Sequence, residues 1–271
     1  MIPNDNVLMF FKFSEKRWID KIVEGNISFS CTGSFITQAR IYKNNIQGDL
    51  CEGVFSRLKK NDDRIQLMKE QLKYDLEIIN DGDYVMLRRH SSKLIPIFCL
   101  YGVTGKDLLI ENEDILKNNP EGLNKLKHYF DNNMYVGFSD YNIRNVINST
   151  HRLVTLHIQP ANFLDNIKCS LFREKIEFKI NKINYDYFKN DTFFIQPTKD
   201  YNELFYKFPQ YDKQYEVRCC LYNKKLHSIF NRFNLKISPL IRNDDYFLSY
   251  DKLYITIDAV TKKYKNIVNN Y

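Results

Sequence analysis

After Pro96 the chain places Ile97, Phe98, Cys99, Leu100 and Tyr101 in succession, an apolar run with no polar residue to turn toward water. A short run of this kind, bounded by a proline, reads as a strand covered on both faces, so the chain needs layers on either side of a central strand. The surrounding pattern supplies them. Val7–Phe13, Ile27–Cys31, Tyr84–Arg88, Leu153–Ile158, Ile176–Asn181, Tyr215–Tyr222, His227–Phe233 and Leu253–Ile257 read as further strands. Trp18, Ile19, Ile22 and Val23 recur at helical spacing between Ser14, a candidate N-cap, and Gly25, a candidate stop. Ile65, Met68, Leu72, Leu76 and Ile79 predict a helix running to the Asp81-Gly82-Asp83 break, and short helices are expected from Pro120, over Tyr141–Asn148 and over Asp200–Tyr206. Gly33–Glu52 shows no period and reads as a loop. The expectation is an α+β fold: a single domain over 1–271 with a curved or split mixed β-sheet flanked by short helices.

Composition narrows the function classes. With 271 residues and 44% hydrophobic content the chain can bury a large core, and its 9 Gly and 7 Pro form no linker or low-complexity tract. No stretch approaches the roughly 18 apolar residues of a membrane span, and Met1–Lys12 does not read as a signal peptide, so a cytoplasmic protein away from membranes is expected. The six cysteines lack C-x-x-C spacing and sit among apolar residues, as buried free thiols do, and the five histidines lack helical metal spacing. No metal cofactor is expected.

The common nucleotide-loop, hydrolase and zinc-protease motifs are absent. Two polar islands remain in apolar or aromatic surroundings: Gly48-Asp49-x-x-Glu52-Gly53 and Tyr211-x-x-Gln214-Tyr215-Glu216-Val217-Arg218. On a strand Gln214, Glu216 and Arg218 point to one face. A carboxylate at a cleft can bind ribose hydroxyls and stabilise an oxocarbenium-like centre, and a neighbouring amide can orient a nucleophile. The same spacing also suits an ordinary Glu–Arg pair, and Asp49 also suits a turn in which its side chain bonds its own backbone.

Phe10-Phe11-Lys12-Phe13, then Gly25-Asn26-Ile27-Ser28-Phe29-Ser30, then the two islands, together resemble a group of bacterial and phage proteins related to the ADP-ribosyltransferase-like fold. The resemblance implies a split-sheet core framing a cleft for NAD, a macromolecular acceptor, protein or nucleic acid, and a role in conflict between phage and host. It implies Glu216 as catalytic carboxylate, Gln214 as the residue that selects the acceptor and Arg218 beside them. Lys12 stands where many members carry His or Arg, and Ser28-Phe29-Ser30 stands where a Ser-Thr-Ser strand is usual. With Tyr101 on the apolar strand, Lys12, Ser28 and Ser30 form the candidate cofactor-binding set. Tyr101 and His157 equally suit a packed core.

The net charge of +7 is concentrated. Lys213, Arg218, Lys224, Lys225, Arg232, Lys236 and Arg242 face the single acid Glu216 between 213 and 242, seven minus one giving +6. Such a segment, with Tyr215, Tyr222, Phe230 and Phe233 interleaved, suits a catalytically inert module that binds nucleic acid or an acidic protein. Lysines also guard exposed strand edges against aggregation.

Overall fold

Val7–Glu15 opens the computed structural model as strand β1, which describes residues 7–42, 49–104, 153–214, 216–223, 232–242, 244–249, 254–257 and 264–267. The protein is α+β. Among the described residues it has four α-helices, and every strand pair of defined register is antiparallel where a mixed sheet was expected. The chain forms two compact units, each built from separate stretches: 1–26, 100–168 and 237–271 make the first, 27–99 and 169–236 the second.

In the first unit β1 lies between the end of β6 (Pro96–Thr104) and β7 (Leu153–Ile158), and β7 pairs in turn with β12 (Tyr246–Ser249). Helix α1 (Lys16–Val23) buries Ile19 and Ile22, the residues that carry its helical spacing. Its N-cap is Glu15, because the strand runs through Ser14. Just after β7, Pro160 begins a helix not among those expected, α4 (Pro160–Arg173). Phe163 of α4 meets Phe10 edge-on at 6.4 Å, and Phe11 packs edge-on against Tyr101 at 5.9 Å and His157 at 4.9 Å. A further pair, β13 (Tyr254–Ile257) and β14 (Tyr264–Ile267), is antiparallel.

Gly25 ends α1 as its position predicts, with φ +84°, a left-handed conformation. Its carbonyl accepts from Ile237 N–H, and a Cβ there would lie 2.3 Å from the Ile237 carbonyl oxygen. Gly25→Ala therefore adds a backbone clash to the left-handed penalty. The expected loss is about 2 kcal/mol or more, read as a lower urea midpoint with an unchanged m-value.

In the second unit β2 (Asn26–Cys31) pairs with the start of β6 and with β11 (Phe233–Lys236), which is the end strand. Thr32–Tyr42 is helix α2, where a loop was expected. Its buried side is little more than Ile36 and Ala39, and Thr32, Gly33 and Ser34 open it, so the apolar period is too faint to see. A second sheet has the order β4 (Leu76–Asp81), β5 (Tyr84–Arg89), β3 (Val54–Lys59), β9 (Phe193–Phe194). Helix α3 (Asp63–Leu72) is capped by the Asp62 side chain and packs Ile65 and Met68 on Val54, Phe55, Leu58 and Leu87. It stops at Leu72, well short of the break expected at Asp81-Gly82-Asp83. Lys73, at φ 47°, turns the chain, and Leu76 and Ile79 continue the apolar series on a strand. β8 (Phe178–Lys182) and β10 (Glu216–Leu221) pair antiparallel, and the helix expected over Asp200–Tyr206 is a 3-10 turn over Asn202–Phe205. The helices expected from Pro120 and over Tyr141–Asn148, and most of the strand expected over His227–Phe233, lie outside the described residues.

Among the described residues no helix is long and apolar enough to cross a membrane, and no group of three or more His, Cys, Asp or Glu side chains is arranged to hold a metal ion. All six cysteines are free thiols.

Candidate functional site

The first polar island folds as a tight turn. Asp49 Oδ1 accepts from Cys51 N–H at 2.8 Å, and Gly53, at φ +73° and where a Cβ would lie 2.9 Å from Ser92 Oγ, reverses the chain into β3. Arg88 of β5 fixes this turn from below. Its Nη1 donates to the Leu50 and Glu52 carbonyls, and its Nε donates to Glu77, which also takes Lys93. Burial pushes the Glu77 carboxyl up, but Arg88 and then Lys93 outweigh it and hold the group down at about 2. The stability this lends is present above the ordinary value of 4.5 and is lost as pH falls toward 2. With the backbone held, Glu52 points inward and is 2% exposed.

The second island supplies the partner. All six residues of β10 are buried, so the strand alternates between two covered faces: Val217, Cys219 and Leu221 on one, Glu216, Arg218 and Cys220 on the other. Arg218 is the centre of the cluster. Its Nη1 and Nη2 meet Glu52 Oε1 and Oε2 at 2.6 and 3.2 Å, its Nε donates to Glu216 Oε1 at 2.7 Å, and its Nη1 also donates to the Leu204 carbonyl. Lys207 Nζ donates to Glu216 Oε2 at 2.7 Å and stands 3.8 Å from Glu52. The Glu216 N–H donates to the Tyr185 hydroxyl at 3.0 Å.

Desolvation penalises these charges, and their proximity reverses the penalty. Burial raises the Glu216 carboxyl, but Arg218 and then Lys207 bring it far below the carboxylate range. Burial lowers the Lys207 ammonium, but Glu216 and Glu52 hold it well above its ordinary value. Glu52, Glu216, Lys207 and Arg218 are thus a balanced, sealed ionic cluster. A second buried pair in the same unit joins Arg89 to Glu203 Oε1, with the Arg89 guanidinium 4.1 Å over the Tyr201 ring.

The structure joins the two islands through Glu52 and Arg218, and separates Gln214 from them by element: Gln214 closes a 3-10 turn over Pro209–Gln214, so the shared strand face begins at Glu216. Ser28 and Ser30 lie together on the half-buried face of β2, in the same unit. Lys12, half-buried on β1, and Tyr101, packed on Phe11, belong to the other unit. Burial holds the His157 imidazole down at about 3, so it stays neutral, as a core histidine does. Lys207 of the cluster, and Tyr185, Arg88 and Glu77 that hold the backbone around it, were not legible in the sequence: none sits in a polar island, and each comes from a different element. Asn184, Asp186, Tyr187, Asn190, Thr192 and Phe193 line a surface cavity of about 460 Å³ elsewhere in this unit.

Fold and site together define an α+β protein organised on a sealed ionic cluster. Compared with protein-family models, with curated proteins and with solved structures, the chain matches none.

Proposed function

We propose that the protein is a binding module, catalytically inert at Glu216, that holds nucleic acid through its basic segment. The observation that supports this reading is the destination of Glu216. It is the only acid between 213 and 242, and it is turned inward and paired with Arg218 and Lys207. Removing Glu216 and Arg218 together leaves Lys213, Lys224, Lys225, Arg232 and Lys236 of the second unit with no acid among them in sequence. Arg232 and Lys236 are exposed, and Tyr222 and Phe233 beside the segment are half-buried rings. Cationic side chains with interleaved aromatics fit a phosphate backbone and its bases.

The ADP-ribosyltransferase reading, with NAD as donor and Glu216 as catalytic carboxylate, asks for a Glu216 oxygen free to take a ribose hydroxyl. Both oxygens are held here, at 2.7 Å each. One experiment separates the two: incubation with NAD, and in parallel passage over immobilised single- and double-stranded nucleic acid at low salt. The expected result is retention on nucleic acid and no nicotinamide. Nicotinamide release that disappears in Glu216→Gln replaces the binding reading with the transferase one, and absence of retention leaves Lys236 of end strand β11 as edge protection.

A further inference from the structure

Among the described residues, three carboxylates share the sealed cluster with two cations. Glu52 and Glu216 are each ion-paired with both Arg218 and Lys207. Asp49 is the odd charge. It is 3% exposed, one oxygen is held by the Cys51 N–H, and among the described residues no cation comes within ion-pair distance of it. The other groups around it cannot compensate. Arg88 of β5 is committed to Glu77 and to the carbonyls of Leu50 and Glu52. The Cys51 thiol and the Tyr211 hydroxyl are both pushed up to about 12, by burial first and then by the charge of Asp49, so neither carries charge of its own near neutrality.

We propose that Asp49 is a proton switch built into this cluster: with its proton, two carboxylates face two cations and the Asp49–Gly53 turn stays seated on β10 through Glu52 and Arg218; without it, an unmatched negative charge lies beside Glu52 and weakens that seat. The switch works near neutrality. Burial, and then repulsion from Glu52, raise the Asp49 carboxyl from 3.8 to about 6, while Lys207 and Arg218 limit the rise. A carboxyl raised by folding keeps its proton in the folded chain where the unfolded chain has lost it. Stability from this group is therefore greatest below about pH 4, falls as pH rises to about 6, and is level beyond.

Urea unfolding of the wild type and of Asp49→Asn at steps between about pH 4 and 8 tests this, since the asparagine oxygen still accepts the Cys51 N–H. Relative to the variant, the wild-type unfolding constant should rise about a hundredfold across the window, leaving Asp49→Asn the more stable form at neutral pH. Parallel pH profiles, or a variant less stable at neutral pH, overturn the proposal. Should the variant not fold, the carbon-13 carboxyl titration of Asp49 in the wild type decides: a midpoint near 6 supports the switch, and one near 4 removes it. Neither measurement depends on what the protein binds.

Discussion

Arg218→Met is expected to lower stability by about 3–5 kcal/mol, a large share of the roughly 5–15 kcal/mol that holds a typical protein folded, because it leaves Glu52 and Glu216 to share a single ammonium. The methionine fills most of the arginine's volume, so the loss is electrostatic and not that of a cavity. Glu52 loses a bidentate partner, and Lys207 is the one cation left in contact with Glu216 among the described residues. The physical cause predicts its own remedy. In the double variant Glu52→Gln, Arg218→Met the carboxylate that lost its bidentate partner is gone, Glu216 keeps Lys207, and the repulsion between Glu52 and Asp49 is removed, so part of the loss should be recovered. A double-mutant cycle by chemical unfolding measures this. A double variant as unstable as the sum of the two singles would mean that the cluster is not coupled, and that Glu52 and Arg218 act separately.

Affinity for nucleic acid should fall about 500-fold between 50 and 200 mM salt if all five basic residues of Lys213–Lys236 outside the cluster meet phosphates of a duplex. Five neutralised phosphates give a slope of about −4.5 in a plot of log affinity against log salt. Replacing Lys224, Lys225 and Arg232 by alanine removes three of them and should cut the slope to about −1.8, a loss of about 12-fold over the same interval. Stability should hardly change if these three side chains serve the nucleic acid and not the fold, which chemical unfolding of the triple variant checks. An unchanged slope in the triple variant would place the binding surface elsewhere. Because Arg218 is 1% exposed and committed to Glu52 and Glu216, it belongs to the folding argument and not to this one.

Local sequence determined those features that a few neighbouring residues decide. The apolar run after Pro96 is strand β6, the spacing of Ile19 and Ile22 is the buried side of α1, and Gly25 stops that helix because only glycine adopts its backbone angles without strain. The alternation of Glu216, Val217 and Arg218 likewise fixed that the two charged side chains share a face and can pair. Local reasoning failed where two elements share one apolar series. Leu72 and Leu76 continue the same spacing, but the left-handed Lys73 divides a helix from a strand, and the β4–β5 register that demands this is set by residues not in the series. It failed again at α2, whose shallow burial leaves no period to read.

The cluster belongs to the tertiary structure alone. Glu52 and Arg218 are 166 residues apart, and nothing in either island names the other. Each needs an opposite charge once buried, a requirement sequence can state, but the partner is chosen by which strands the fold lays side by side. Arg88 holds the Asp49–Gly53 turn against β5, β10 brings Arg218 to the same place, and Lys207 arrives from the stretch between the 3-10 turns Asn202–Phe205 and Pro209–Gln214. The sequence alone thus marked both islands as polar residues needing a reason to be buried. The fold supplied the reason, the pairing of Glu52 and Glu216 with Arg218 and Lys207, because in a desolvated interior only an opposite charge within a few ångströms offsets the loss of water.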